Sequence, residues 1–291
     1  METVLALDVG GTKLAAAVVD ADGRVVARAT CPTPRAPDGE LVLAALLGVA
    51  REVRTGKEVA IGIGSGGPMT ASREQVSPLN IPGWRDFPLR RRLADELGLG
   101  VHLDNDAKAL ALAEGWQGAA RGVTSFLAMV VSTGVGGGIV LGGRLLDGAT
   151  GNAGHIGHVI VEPAGRLCAC GSHGCLEAEA SGSAIAARTG HPARQAPSEE
   201  RRRAGHLVGR AVASAAALLD LRLAVVAGSV ALGFGNDFFA AAQEELDRSA
   251  RISFTRGIEI RPAGLADEGP LVGAAAVAWR ALGRPVLASG T

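Results

Sequence analysis

The chain has 291 residues, 47% of them hydrophobic, and its 29 basic and 29 acidic side chains cancel to a formal charge of zero. That length suits two domains with sizeable cores, and the balanced charge, with no basic tail or stripe, excludes a dedicated nucleic-acid surface. The longest apolar run, Ala211 to Leu219, is too short to span a bilayer, and Asp8 interrupts the first apolar run where a leader would need continuity, so a cytoplasmic protein with no membrane partner is expected.

In chain order, Thr3 to Val9 reads as a buried strand. Gly10-Gly11-Thr12-Lys13 follows as a tight turn, and Leu14 to Val19 as a second strand. Ala21-Asp22-Gly23 turns the chain into a third strand, Arg24 to Ala29. Pro32, Pro34 and Pro37 mark a loop, and Asp38 can cap a helix running to about Arg54. Val59 to Ile63 is a short strand. Gly62, Gly64 and Gly67 satisfy Gly-x-Gly-x-x-Gly after it, but Pro68, Pro78 and Pro82 leave no room for the helix a dinucleotide site needs. No Gly-x-x-x-x-Gly-Lys-Ser/Thr occurs either. The segment Gly64 to Trp84 is a long irregular loop, and such loops inside compact domains usually carry function. Phe87 to Leu97 reads as a helix and Val101 to Leu103 as a strand. Asp104-Asn105-Asp106 then opens an alanine-rich helix, Ala107 to Glu114. Ligands of open α/β sheets sit at such strand ends, and two acids with an amide exceed what capping requires.

The second half repeats the first. Ser132-Thr133-Gly134-Val135-Gly136-Gly137-Gly138 lies between the strands Ser125 to Val131 and Ile139 to Leu141, again strand, glycine turn, strand. Glycines let successive backbone N–H groups converge on an anion, so two such turns suggest a duplicated grip on a polyphosphate. Gly154-His155-Ile156-Gly157-His158 and Cys168-Ala169-Cys170-Gly171-Ser172-His173-Gly174-Cys175 follow. His158, Cys168, Cys170 and Cys175 form the Cys₃His set that structural Zn²⁺ favours, with His173 a rival ligand. Clustered thiols in a chain without a leader point to metal rather than disulfides. Glu177 to Thr189 and Glu199 to Leu219 read as helices, Leu223 to Ala227 as a strand ending in Gly228-Ser229-Val230, and Asn236 to Ala250 as a helix. Gly257 to Ile260 is a strand, and Pro270 to Leu282 a final helix.

Asp8-Val9-Gly10-Gly11-Thr12-Lys13, Leu103-Asp104-Asn105-Asp106-Ala107, the 132–138 turn, the His/Cys loop and Gly228-Ser229-Val230, in this order, resemble the ROK family of sugar kinases and sugar-binding repressors. The resemblance implies an actin-like (ribonuclease H-like) α/β fold with two domains around a cleft. The expected domains are 1–117 and 118–277, with a C-terminal helix, 278–291, packing back on the first. It further implies ATP, Mg²⁺ and a sugar as ligands and a homodimer or homotetramer as the assembly. Carried over by motif, Asp106 is the catalytic base. Gly66, Asn80, Asn105, His155, His158 and Glu177 stand on the sugar side. Gly10, Gly11, Thr12 and Lys13 meet the phosphates, as do Thr133 and Gly134. Asp8 holds Mg²⁺, and Gly228 lies near the nucleoside.

Two features depart from the family pattern, and a third bears on the sugar. Most of its kinases carry Glu where this chain has His155, and the Gly-His-Ile-Gly-His version resembles the bacterial N-acetylmannosamine kinases. Asn80-Ile81-Pro82-Gly83-Trp84 resembles the loop of glucose-type members, and Gly66 stands where proline is common. The main reading is an ATP-dependent kinase acting on the 6-hydroxyl of an aldohexose, with an N-acetylmannosamine kinase as the alternative. A sugar-responsive repressor would carry an added N-terminal helix-turn-helix domain, for which there is no room before Thr3. A non-catalytic zinc-stabilised binding domain is the third reading.

Overall fold

The computed structural model describes residues 2–35 and 38–290; Pro37, in the proline loop, and residue 291, the last of the expected C-terminal helix, lie outside the described residues. The chain forms two compact units. One runs to Gly118 and takes in Gly148–Gly151 and Leu265–Ala288; the other holds Ala119–Asp147 and Asn152–Gly264.

The first unit is built on a five-stranded sheet of order β3-β2-β1-β4-β5. Its strands are β1 (Thr3–Val9), β2 (Lys13–Asp20), β3 (Val25–Pro32), β4 (Glu58–Ser65) and β5 (Val101–Asn105). β1, β2 and β3 pair antiparallel as a meander, whereas β4 and β5 add in parallel. Leu5, Leu7, Val9, Ile61, Ile63, Val101 and Leu103 face one core, which α1 (Gly39–Val53) and α2 (Leu89–Leu97) cover. Asp38 caps α1 by accepting the Glu40 N–H at 2.9 Å. α2 starts two residues after Phe87, because Pro88 is its N-cap. β3 reaches Pro32 beyond the expected Ala29, which an edge strand tolerates.

The other face carries α3 (Asp106–Trp116) and α9 (Gly269–Ala281). A Cβ on Gly62 would lie 1.9 Å from the Ala274 carbonyl oxygen, and one on Gly273 would lie 2.6 Å from that of Ala109. Bare glycines thus let α9 lie directly on β4 and α3, and so seat the helix that begins at Asp106. The returning helix spans Gly269–Ala281, close to the expected Pro270 to Leu282, and the whole of it rather than 278–291 alone belongs to the first unit.

The second unit repeats this topology. Its order is β10-β9-β6-β7-β8, with β6 (Phe126–Val131), β7 (Val135–Leu141), β8 (Arg144–Leu145), β9 (Leu223–Ala227) and β10 (Glu259–Pro262). β6–β7–β8 is again an antiparallel meander, and β9 and β10 again add in parallel. The duplication inferred from the two glycine turns is therefore a duplication of whole sheets, as the actin-like fold has. Two long helices, α6 (Ser198–Leu219) and α8 (Asn236–Ser249), pack closely where Gly205 and Gly209 would otherwise put Cβ atoms 2.3 Å and 2.4 Å from the Phe238 and Ala242 carbonyls.

Three expectations need correction. Gly136, Gly137 and Gly138 belong to β7, not to the turn, which is only Ser132-Thr133-Gly134. Their smallness serves close approach: a Cβ on Gly137 would meet the Gly154 carbonyl at 3.0 Å. The single helix read from Glu177 to Thr189 is two, α4 (Leu176–Ala180) and α5 (Gly182–Thr189). Ser181 breaks them, adopting extended backbone and capping α5 through the Ala184 N–H at 3.1 Å. The Ser229 turn is a short helix, α7 (Ser229–Phe234). Among the described residues, no helix is long and apolar enough to cross a membrane.

Candidate active site

In the first unit the parallel register sets Asp8 beside Gly64 and Gly64 beside Asp104 across three strand ends. Asn105 ends β5 and caps α3, its Oδ1 accepting the Ala107 N–H at 3.0 Å. Asp106, exposed, is the first residue of that helix, and its Oδ1 accepts the same N–H at 2.7 Å. A carboxylate there is favoured by the helix N-terminus. Gly64 lies alongside it: a Cβ on Gly64 would be in ordinary contact, 3.8 Å from the Asp106 Cα. Gly66 faces the same carboxylate, with a built Cβ 3.9 Å from Oδ2.

Asp8 and Asp106 share this space, and the electrostatics show it. Burial, then the charge of Asp106, push the Asp8 carboxyl up to about 7, with Lys13 acting against them. An acid raised mainly by burial, with a second acid adding to it, suits a place where a cation or a proton is held.

The β1–β2 turn closes through Gly10, whose N–H donates to the Lys13 carbonyl at 3.1 Å. Thr33 Oγ1 donates to the Gly10 carbonyl at 2.6 Å. A Cβ on Gly11 would stand 2.3 Å from the Cβ of Asn80, so the turn and the irregular loop touch at a point only glycine permits. That loop is rigid. Trp84 is fully buried, stacks on Phe87 at 4.7 Å and donates Nε1–H to the Gly39 carbonyl at 2.9 Å. Arg85 donates to the Pro78, Ile81 and Trp84 carbonyls at 2.7–3.1 Å. Asn80, exposed, is held out from a pinned backbone. Asp8, Gly11, Lys13, Gly66, Asn80, Asn105 and Asp106 all lie on one unit.

In the second unit, Glu177 in the first turn of α4 accepts the Val135 N–H at 2.9 Å. A Cβ on Gly134 would lie 2.8 Å from the same carboxylate oxygen. Glu177 is therefore tied to the Thr133-Gly134 turn, a link the sequence did not signal. Gly154 and Gly157 lie against β7, where Cβ atoms would fall 2.4 Å and 2.3 Å from the Gly137 and Val135 carbonyls. This presents His155 and His158, both exposed, with rings 6.1 Å apart.

A cavity of about 430 Å³ opens beside Thr133, Ser183, Arg194 and Ser229, with Pro192 and Val230 in its apolar walls. Ser183 Oγ donates to the Thr133 carbonyl at 2.9 Å, and the Ser132 and Ser229 hydroxyls meet at 3.0 Å. Gly228, at φ +100°, would drive a Cβ to 2.3 Å from the Val131 carbonyl. It lets β9 turn into α7 beside this cavity. Apolar walls with hydroxyls and one guanidinium suit a flat heterocycle bearing a ribose. Ser183 and Arg194 were missed because they belong to no motif, and Ser229 because only Gly228 of its motif was given a role.

The metal set holds together. The ligand atoms of His158, Cys168, Cys170 and Cys175 lie within 4.8 Å of one another. Cys168 Sγ is 3.8 Å from His158 Nδ1, and Cys170 Sγ is 3.6 Å from Cys175 Sγ. Four donors at Zn–S distances of about 2.3 Å stand about 3.7 Å apart on a tetrahedron, so the spacing fits Zn²⁺. His173 is outside the set. Burial and the neighbouring thiols push Cys175 up to about 12, so the three sulfurs would ionise together only around a cation. The backbone shapes the loop: Val161 N–H donates to the Gly174 carbonyl at 2.9 Å and Gly174 N–H to Arg166 at 2.8 Å. Gly174, at φ +69°, would put a Cβ 1.6 Å from the Glu162 carbonyl. Glu179 then staples the loop to α6, accepting the Arg166 N–H at 2.6 Å and pairing with Arg203 at 2.6 Å.

The geometry has counterparts in known proteins. The ROK family model matches residues 4–281. An N-acetylmannosamine kinase of Shigella boydii is 39% identical over 253 residues, covering 80% of this chain and 85% of that protein. The crystal structure of a ROK hexokinase from Thermus thermophilus aligns with a TM-score of 0.84 and 38% identity, over 97% of this chain and 99% of that one. A ROK family glucokinase from Streptomyces griseus, in complex with glucose and AMPPNP, aligns with a TM-score of 0.79 and 31% identity, over 94% and 98% of the two chains. A match that runs from the second residue of β1 to the last of α9 leaves one conclusion: this chain belongs to the ROK family.

Proposed function

We propose that the chain is an ATP-dependent sugar kinase whose sugar is N-acetylmannosamine, phosphorylated at the 6-hydroxyl. The observation that carries the kinase reading is the pairing of Asp8 with Asp106, beside a glycine turn that only Gly11 can make against Asn80. Asp106 takes the proton of the 6-hydroxyl as its oxygen bonds to the γ-phosphorus, and the bond from that phosphorus to the ADP oxygen breaks. Asn105 and Asn80 hold sugar hydroxyls, with Gly66 leaving space beside the base. Gly10, Gly11, Thr12 and Lys13 meet the phosphates, as do Thr133 and Gly134. The cavity at Ser183, Arg194 and Ser229 takes the nucleoside, near Gly228. Asp8 is the residue to hold Mg²⁺, which when bound neutralises phosphate charge.

His158 Nδ1 and the sulfurs of Cys168, Cys170 and Cys175 would hold Zn²⁺ as a clip, which would fix the His158 ring and leave its Nε2 for the sugar, as outer partners fix metal-bound histidines. Glu177, already fixed by the Val135 N–H, accepts a further sugar hydroxyl.

The N-acyl sugar rests on His155, which replaces a carboxylate with a group that both donates and accepts, and on the similarity to N-acetylmannosamine kinases. A glucose reading has its own support in the hexokinase likeness and in the Asn80-Ile81-Pro82-Gly83-Trp84 loop. Coupled ADP-release kinetics over glucose, mannose, N-acetylglucosamine and N-acetylmannosamine separate them. The highest kcat/KM is expected for N-acetylmannosamine, and His155→Glu should move preference toward glucose. A wild-type preference for glucose by tenfold or more overturns the N-acyl assignment, with ten corresponding to about 1.4 kcal/mol of differential transition-state binding.

A further inference from the structure

α3 carries a charge that the proposed chemistry leaves unused. Lys108 follows Asp106 by two residues on this helix, and only 1% of its side chain is exposed. Lysines normally keep the ammonium in water, and a buried charge needs a partner and hydrogen bonds. Asp104, also buried, is that partner at 3.4 Å. The same carboxylate stands 3.5 Å from Arg73 and accepts the Asn105 N–H at 2.9 Å. Asp104 therefore has a second cation within reach, and charge balance alone does not account for a lysine buried at this position.

The Lys108 ammonium also donates to the Gly151 carbonyl at 3.2 Å. Gly151 ends the stretch Gly148–Gly151, which belongs to the first unit although the chain up to Asp147 and from Asn152 onward belongs to the second. The base of this excursion is closed by the Ala153 N–H, which donates to the Asp147 carbonyl at 3.0 Å. Gly148 and Gly151, at φ +73° and +82°, let the chain turn out and back. Gly148, Ala149 and Thr150 are exposed, and an exposed loop bounded by glycines has little packing of its own to fix its shape. A hydrogen bond from a charged donor is among the stronger ones a carbonyl can accept. Four residues past Gly151 the chain reaches His155, the residue on which the choice of sugar rests.

We propose that Lys108 is a positioning residue for the sugar. One buried side chain binds both the strand end that carries Asn105 and the loop from which the chain runs to His155, and by holding the Gly151 carbonyl it fixes where that run begins. The role rests on the kinase reading and adds to it the group that orders the approach to His155. Lys108 acts through Gly151 and needs no contact with sugar or ATP.

The test compares Lys108→Met with the double variant Asp104→Asn/Lys108→Met, each in the full chain. Methionine fills much of the same space and removes the donor. The single variant leaves a buried carboxylate short of a counter-charge and should unfold at a lower temperature. The double variant removes both charges and should recover most of that loss. A lysine that served only to balance Asp104 would let substrate kinetics recover with it. Both variants are expected instead to raise the KM for the preferred sugar by about tenfold or more, with kcat and the ATP KM within about threefold of wild type. Hydrogen exchange of the ligand-free chain over residues 148–156 is expected to quicken about tenfold in both variants, while β1 and β4 keep wild-type exchange. Unchanged exchange over 148–156, or a double variant whose sugar KM returns to the wild-type value, overturns the proposal. The exchange measurement needs no turnover, so a wild type inert toward every sugar refutes the kinase reading while exchange still judges the tether.

Discussion

Asp8→Asn should make the ligand-free protein more stable while removing its activity. Asp8 sits half-buried beside Asp106, and its carboxyl is raised from 3.8 to about 7. A raised acid binds its proton more tightly in the folded chain than in the unfolded one. Its stabilising contribution is therefore complete below about pH 4 and is lost as pH rises through about 7. At about 1.4 kcal/mol per unit, a shift of about three units is worth at most about 4 kcal/mol, and partial exposure brings this nearer 2. Asparagine keeps the shape and carries no charge. The variant should therefore gain about 2–4 kcal/mol over wild type at about pH 8, with the gap closing toward about pH 4. All three tryptophans, Trp84, Trp116 and Trp279, lie in the first unit, so urea unfolding followed by their fluorescence reads the unit that holds Asp8. Added Mg²⁺ should narrow the gap by binding wild type alone. A variant less stable than wild type at about pH 8, or a gap that does not change with pH, refutes the reasoning.

Other outcomes follow from the same contacts. Asp106→Asn should lower kcat by about 10²–10⁴-fold while sugar affinity measured by calorimetry is kept. Gly11→Ala should raise the apparent constants for sugar and nucleotide together, because its Cβ falls 2.3 Å from that of Asn80; a change in one alone contradicts that contact. Elemental analysis should find about one zinc per chain. Cys168→Ser or chelation should raise the sugar KM far more than the ATP KM, since the ordered loop carries His158.

Much of the fold and site was legible because a few motifs are chemically narrow. Asp8-Val9-Gly10-Gly11 reads as a strand end with a turn, and three cysteines with one histidine read as a metal set. The structure brings each group together. Other parts stayed hidden because glycine has two uses. In Gly136-Gly137-Gly138 it permits close packing against Gly154 rather than a phosphate nest, and sequence alone does not distinguish the two. The break at Ser181 was masked by helix-favouring alanines on both sides, although serine is a good cap. The Glu177–Val135 bond, the serine-lined cavity and the Arg73–Asp104–Lys108 contacts depend on residues far apart in the chain, with no local pattern to announce them. Lys108 in particular reads as an ordinary helix lysine until the fold buries it.

The most direct test of the account is the identity of the product. Wild type incubated with ATP, Mg²⁺ and N-acetylmannosamine should yield ADP and N-acetylmannosamine 6-phosphate in equal amounts, read by phosphorus NMR and mass spectrometry. Sugar-independent ADP release, or a phosphoryl group on another hydroxyl, would contradict it.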